Sequence, residues 1–386
     1  MKTESPSGHN RYSVTGRLLI GGRLVDGALV VEAGRIVEVR EGPIGELPGP
    51  RLTAEIVSPG LVDLQCNGGF GLEVGGDAGA LRALAARLPS TGVTTFLPTA
   101  VSSDAAFYRA LAAAFAASRG APGAEAAGLH LEGPLLSPAR AGAHDPAAIA
   151  AAEATLDGVL DELLGAGALR LVTLAPERPG ALDRIRRLVD FGVTVALGHT
   201  DATFAEAIAG IDAGATLVTH LFNAMSGLHH RAPGAVGAAL TDDRVAVGLI
   251  ADGVHLHPAV LALALRAKGP ERIVLVTDAV AAAGAPPGDY QLGGLPVTSD
   301  GESARRPDGT LAGSTLTLDR AVRAMVGLGG ARIEDALAMA STVPAARVGL
   351  TDRGALAVGR RADLALWSAD LAVETTIAGG QAVFRA

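Results

Sequence analysis

The 386 residues contain one cysteine, Cys66. No disulfide can form within the chain, which fits a reducing cytoplasm. Positive charge is in deficit: 32 Lys and Arg stand against 40 Asp and Glu, a net charge of −8. That balance argues against a nucleic-acid groove or an anionic membrane surface. An anionic substrate would need a locally basic pocket set in an acidic field. Apolar runs of roughly 18 residues are missing, so no transmembrane helix is expected. The stretch Met1–Tyr12 is polar and lacks an apolar h-region, so no signal peptide is expected either. Aromatic residues make up only 3 % while Ala and Gly abound. The Ala-rich stretches alternate with Val/Leu/Ile runs at regular spacing, as packed helices and strands do. The bias therefore reads as GC-rich coding and not as low complexity.

Hydrophobic residues reach 49 %, and the length suits one large domain plus a smaller one. The first 57 residues read as short strands punctuated by turns: Arg17–Ile20, Ala28–Glu32 and Arg35–Arg40, broken at Gly21-Gly22, Ala33-Gly34 and Gly42-Pro43. The far end reads the same way over Asp363–Trp367, Val373–Ile377 and Gln381–Phe384, with Gly379-Gly380 as a turn. Both ends together predict a small β-sandwich domain, residues 1–57 and 355–386. Between them, short apolar runs alternate with Ala/Leu-rich helical stretches, the signature of βα units. Eight runs are counted: Val57–Leu64, Val93–Leu97, Ala127–Leu131, Leu169–Leu174, Val193–Leu197, Ala215–Thr219, Val245–Ile250 and Ile273–Thr277. They predict a (β/α)8 TIM barrel over residues 58–354, an α/β fold. A Gly/Pro-rich hairpin, Tyr290 to Thr310, and helices over Ser314–Leu328 and Ile333–Ala340 complete it.

The ends of these runs carry polar and metal-binding residue types. Gln65 and Asn67 follow the first, Glu132 the third, His199 the fifth and His220 the sixth. Asp252 and His255 follow the seventh, and Asp278 the eighth. In a barrel of this kind the C-terminal strand ends form the active-site face. Two imidazoles and a carboxylate make a good ligand set for Zn²⁺ or a similar ion, and three protein ligands leave a position open for water. Glu132, His199 and His220 are therefore the expected metal ligands. Asp278, in Leu-Val-Thr-Asp-Ala, can take a proton from that water and pass it to a leaving amine; the competing role is a helix N-cap. His144, in a Gly-Ala-His-Asp-Pro loop, is either an oxyanion donor or an ordinary surface histidine. Arg231, beside His229-His230, suits a phosphate or is a solvated loop residue. His255 reads as a substrate contact, His257 as structural and His130 as core. His9 carries no case for function.

These blocks resemble a known family. Val57-Ser58-Pro59-Gly60-Leu61-Val62-Asp63 is similar to the strand-one entry of the amidohydrolase superfamily. Gly128-Leu129-His130-Leu131-Glu132-Gly133-Pro134, Gly198-His199-Thr200-Asp201-Ala202-Thr203, Thr219-His220-Leu221-Phe222-Asn223-Ala224-Met225 and Thr277-Asp278-Ala279 resemble the signatures of the N-acetylglucosamine-6-phosphate deacetylase family. The likeness runs in order from about residue 14 to residue 384. It implies deacetylation of N-acetyl-D-glucosamine 6-phosphate to D-glucosamine 6-phosphate and acetate. It implies one divalent metal ion per subunit on Glu132, His199 and His220, with zinc expected first and Fe, Mn, Co or Ni as alternatives. It implies Asp278 as general base and acid, and His144 as support for the acetyl carbonyl. Asn223, Ala224 (through its backbone), Arg231 and His255 would position the sugar phosphate. A homodimer follows from the same resemblance, as does a mobile lid over Ser102–Arg119. Many amidohydrolases carry a His-x-His pair where this chain has Gln65 and Asn67. Neutral amides are weak ligands beside imidazole or carboxylate, and Cys66 between them should point to the opposite face.

Competing readings are the same chemistry on N-acetylgalactosamine 6-phosphate and another amidohydrolase acting on a cyclic amide or an N-acyl amino acid. A non-catalytic scaffold on the same fold is the third. The Arg231 loop argues against the second, and the full ligand set with Asp278 against the third.

Overall fold

The computed structural model describes residues 10–153 and 156–386. The polar N-terminal stretch, up to and including His9, falls outside the described residues. Both ends of the chain build one sheet of seven strands. Its spatial order is Gln381–Arg385, Val373–Ala378, Leu364–Trp367, Arg51–Pro59, Arg11–Ile20, Arg23–Glu32 and Arg35–Glu41. The central strand, Arg51–Pro59, runs parallel to Arg11–Ile20 and antiparallel to Leu364–Trp367. Tyr12, Val14, Leu29, Ile36, Val57, Leu366 and Ile377 form its core. The sheet curls until its outer turns meet: a Cβ on Gly380 would stand 2.6 Å from the Cα of Gly34. The Tyr12 hydroxyl donates to the Gly380 carbonyl at 2.9 Å across that closure. The single tryptophan, Trp367, is fully buried and donates to Ser58 Oγ at 2.9 Å, so its ring serves packing.

The run expected as barrel strand one, Val57–Leu64, divides in two. Its first half ends the central strand of the terminal sheet, and the barrel strand is Leu61–Cys66. The break falls at Gly60, where a Cβ would lie 2.2 Å from Thr94 Oγ1. The remaining barrel strands are Val93–Ala100, Leu129–Glu132, Leu169–Leu174, Thr194–Leu197, Leu217–Val218, Ala246–Leu249 and Ile273–Leu275. All pair in parallel with their neighbours. Strands eight and one close the ring beyond their regular part. Cys66 pairs with Ala279, and the Asp278 N–H donates to the Gln65 carbonyl at 2.9 Å. Asp63 accepts from the Thr277 hydroxyl at 2.6 Å in the same seam. The result is the expected TIM barrel, with Val, Leu, Ile and Ala prominent in the hydrophobic core packed about its strands.

After strand eight the expected hairpin carries a third short strand: Gly288–Leu292, Leu295–Ser299 and Ala304–Arg305. Helices Leu318–Gly327 and Ile333–Met339 follow, and a further one, Thr342–Arg347, leads back to the terminal sheet. The segment expected as a lid holds the helix Ala105–Ser118, anchored by buried Tyr108, Leu111 and Phe115. Among the described residues no helix is long and apolar enough to cross a membrane.

Candidate active site

The C-terminal ends of the barrel strands surround a cavity of about 350 Å³. Glu132, His144, His199, His220, Asn223, Ala224, His255 and Asp278 all line it. Eight of the nine sequence-expected site residues therefore meet in one place. The ninth, Arg231, is exposed on its loop and does not line the cavity. His229 and His230 beside it are also exposed, their rings 4.2 Å apart.

Strained backbone turns the key side chains inward. His199, His220, Ala224 and Asp278 have φ of 48°, 25°, 49° and 49°, a left-handed conformation that side chains other than glycine rarely adopt. Such strain persists only where the surroundings over-determine it. At His199 the surroundings are specific. Gly198 leaves no room for a Cβ between Thr173 and Thr219. Four residues on, Thr203 and Glu206 form a capping box that starts the helix Phe204–Asp212. At Asp278 the backbone is held from both sides: its N–H by Gln65 and its carbonyl by the Ser314 N–H at 2.8 Å.

Three buried donor atoms converge on one point. Glu132 Oε1 lies 3.2 Å from His199 Nε2 and 2.9 Å from His220 Nε2, and the two nitrogens are 3.1 Å apart. His199 Nδ1 faces the Arg140 carbonyl at 3.0 Å. A carbonyl only accepts, so the proton sits on Nδ1 and the lone pair of Nε2 points at the other two groups. Lone pairs and a carboxylate gathered this closely call for a cation, and the set fits a divalent metal. His144 also approaches: its ligand atom and those of Glu132 and His199 lie within 4.8 Å of one another. The Ser102 N–H donates to His144 Nδ1 at 3.1 Å, however. A neutral His144 therefore carries its proton on Nε2, 3.6 Å from Glu132 Oε2. It is a donor facing the cavity, whereas His220 is free to ligate.

Burial sets the charges of these groups. His144 is pushed down to about 4 by burial and by neighbouring His199, so it stays neutral. Burial also works against charge on Glu132 and His220, but their mutual contacts prevail. Contacts with His144, His199 and His220 hold Glu132 well below the usual carboxylate range, and the nearby Glu132 carboxylate raises His220. Asp278 is pushed up to about 6 by burial and by the Glu132 carboxylate. Perturbations of this kind, in one cleft, mark functional sites.

Several contacts and lining residues escaped the sequence reading. Gln65 Nε2 donates to both Glu132 Oε1 and Asp278 Oδ1, at 2.9 and 3.0 Å, and Asn67 Nδ2 donates to Asp278 Oδ1 at 2.7 Å. Asp252 accepts from His255 Nδ1 at 2.6 Å and fixes its ring; the i, i+3 spacing is the signal that could have found it. Arg140, Leu292, Thr310 and Leu311 line the wall from segments where no strand end announces them. Cys66 points away, as expected, its thiol 3.5 Å from the Gly68 carbonyl. His257 caps the helix Pro258–Lys268, and His130 is a core residue bonded to Thr173 Oγ1 at 2.8 Å.

Comparison with known proteins agrees with this geometry. The family model described as Amidohydrolase family matches residues 56–383. The chain is 42 % identical over 334 residues to an N-acetylgalactosamine-6-phosphate deacetylase of Escherichia coli O157:H7, covering 85 % of this chain and 88 % of that one. It is 38 % identical over 336 residues to the N-acetylglucosamine-6-phosphate deacetylase of Bacillus subtilis (strain 168), covering 85 % of each. Among solved structures, the N-acetyl-D-glucosamine-6-phosphate deacetylase of Mycobacterium smegmatis, in complex with N-acetyl-D-glucosamine-6-phosphate, superposes with a TM-score of 0.90. That pair is 36 % identical, with 97 % of this chain and 99 % of that chain covered. A cavity built from strand-end Glu, His and Asp, on a barrel matched along its whole length, places this chain in the amidohydrolase family, among the N-acetylhexosamine-6-phosphate deacetylases.

Proposed function

We propose that the protein hydrolyses the acetyl–amine bond of N-acetyl-D-glucosamine 6-phosphate, giving D-glucosamine 6-phosphate and acetate. The observation that carries this reading is the convergence of Asp278, a neutral His144 and the Glu132–His199–His220 set in one cavity. One divalent ion belongs on that set, zinc first, with Fe, Mn, Co or Ni as alternatives; it would act as a Lewis acid and lower the pKa of a bound water to about 7. Asp278 takes a proton from the attacking water and returns it to the departing nitrogen as the C–N bond breaks. His144 Nε2–H donates to the acetyl oxygen as negative charge develops there. Asn223, the Ala224 backbone and His255 hold the sugar. Arg231 meets the phosphate from the neighbouring subunit of a homodimer, which accounts for its exposure on one chain. The cytoplasm is the proposed compartment.

A second reading, N-acetylgalactosamine 6-phosphate as substrate, is favoured by the 42 % identity to the Escherichia coli galactosamine enzyme. The two sugars differ at one hydroxyl, and among the described residues no aromatic ring of Phe, Tyr or Trp lines the cavity to select a sugar face. A coupled acetate-release assay tests both readings with the two 6-phosphorylated N-acetyl sugars and their unphosphorylated forms. Release from the glucosamine phosphate at the higher kcat/KM supports the first reading. Release from neither phosphate overturns both.

A further inference from the structure

Gln65 and Asn67 lie at and just beyond the end of barrel strand one, and both amides serve a carboxylate. Each donates to the same atom of Asp278, Oδ1, at 3.0 and 2.7 Å. The chemistry fixes the amide orientations. A carboxylate oxygen accepts, so each amide must turn its nitrogen towards it. Gln65 uses its second N–H on Glu132 Oε1 at 2.9 Å, which excludes the flipped amide there too. Gln65 and Asn67 are each 2 % exposed, so water does not compete for these bonds. Among the described residues no protein donor bonds the other oxygen, Oδ2.

An oxygen that already receives two N–H groups is a poor place for a proton, because O–H would then face N–H. We propose that Gln65 and Asn67 form an amide clamp that keeps Oδ1 of Asp278 an acceptor only, so that the proton in transit rides on Oδ2. The inference rests on the proposed function, since it presumes that Asp278 moves a proton. In the first step one O–H bond of the attacking water breaks and an Oδ2–H bond forms. In the second the Oδ2–H bond breaks, the nitrogen gains that proton, and the electron pair of the C–N bond goes to the departing amine. Asp278 returns to the carboxylate. Gln65 and Asn67 are positioning residues: they act through Asp278 and decide which of its oxygens carries the proton. The link from Gln65 to Glu132 also ties the proton carrier to a metal-ligating side chain, so the two cannot drift apart.

The test is a pair of double-mutant cycles on the metal-loaded protein, Asn67→Leu with Asp278→Asn and Gln65→Met with Asp278→Asn. Each clamp variant alone should lose about ten-fold or more in kcat, part of the 10²–10⁴-fold that general acid–base catalysis supplies. KM and metal content should hold, and the solvent deuterium isotope effect on kcat should rise. In the Asp278→Asn background the same substitutions should cost almost nothing further, because there is no carboxylate left to clamp. Equal losses in both backgrounds, or loss of the metal from both clamp variants, would overturn the proposal. Rates are read as ratios to the parent on whichever N-acyl substrate the natural protein hydrolyses. Failure of the sugar-phosphate assignment therefore appears in the natural protein alone, and failure of the clamp only in the cycle.

Discussion

The Nε2 atoms of His199 and His220 lie 3.1 Å apart, with Glu132 Oε1 within 3.2 Å of each. Two imidazole nitrogens and a carboxylate oxygen gathered this closely make a ligand set for a divalent cation. His199→Ala or His220→Ala should therefore release the ion and lower kcat by about 100-fold or more, at least the loss that follows removal of an outer-shell partner of a metal ligand. Metal analysis of dialysed protein checks this. Stoichiometric metal with parental turnover in either variant would remove that residue from the ligand set.

His144 should behave differently. Its Nδ1 is occupied by the Ser102 N–H, so it serves as a donor. His144→Ala is expected to keep the metal and to lose roughly 10²–10³ in kcat, on the scale of a missing oxyanion donor. Loss of the ion would instead make His144 a ligand.

Asp278 sets the acid limb of the pH profile. A base works only when deprotonated, and burial beside Glu132 pushes this carboxyl up to about 6. A bound dication pulls the other way. kcat/KM should thus fall as pH drops through a midpoint at or below about 6, and level off above it. Asp278→Asn should keep metal and substrate affinity but lose about 3 kcal/mol or more of transition-state stabilisation, and the limb should vanish from its residual activity. A near-parental kcat would end the assignment.

Arg231 is exposed and outside the cavity of its own chain. Arg231→Ala should weaken the phosphorylated substrate far more than the free sugar, because a charge-assisted pair is lost only with the former. Mixing Arg231→Ala with Asp278→Asn protein should restore part of the activity if the loop crosses to a partner. Equal effects on both sugars, with no complementation, would place the phosphate elsewhere.

The site should hold one ion. Gln65 and Asn67 spend their amide nitrogens on Asp278 and Glu132. About one equivalent is expected after gentle dialysis, and a second becomes possible only in a Gln65→His, Asn67→His double variant, since imidazole binds such metals far better than an amide does. Two tightly held ions in the natural protein, both required for rate, would contradict this.

The barrel was legible because its eight apolar runs are short, evenly spaced and ended by chemistry-bearing residues. The meeting of Glu132, His199, His220 and Asp278 in one cavity was legible for the same reason, each standing at a strand end. What stayed hidden were roles fixed by three-dimensional neighbours. Gln65 and Asn67 read only as missing histidines, since nothing in a one-dimensional pattern shows that both reach Asp278, more than two hundred residues away. Arg231 shows another limit: its residue type suggested a phosphate contact, but nothing in the sequence shows that its loop lies exposed outside the cavity. The division of Val57–Leu64 between two sheets was likewise invisible, because the run is apolar on both sides of Gly60 and both halves are buried.

The terminal sheet has a consequence for how the protein is made. Its central strand, Arg51–Pro59, lies between a strand synthesised before it and one, Leu364–Trp367, that follows some 300 residues later. At about 5–20 residues per second on the ribosome, one edge of Arg51–Pro59 waits roughly 15–60 s for its partner. During that time an unpaired strand edge is open to other nascent chains. Slowing elongation, or ending translation before Leu364, should therefore send the product to aggregates even though the barrel's own strands are all present.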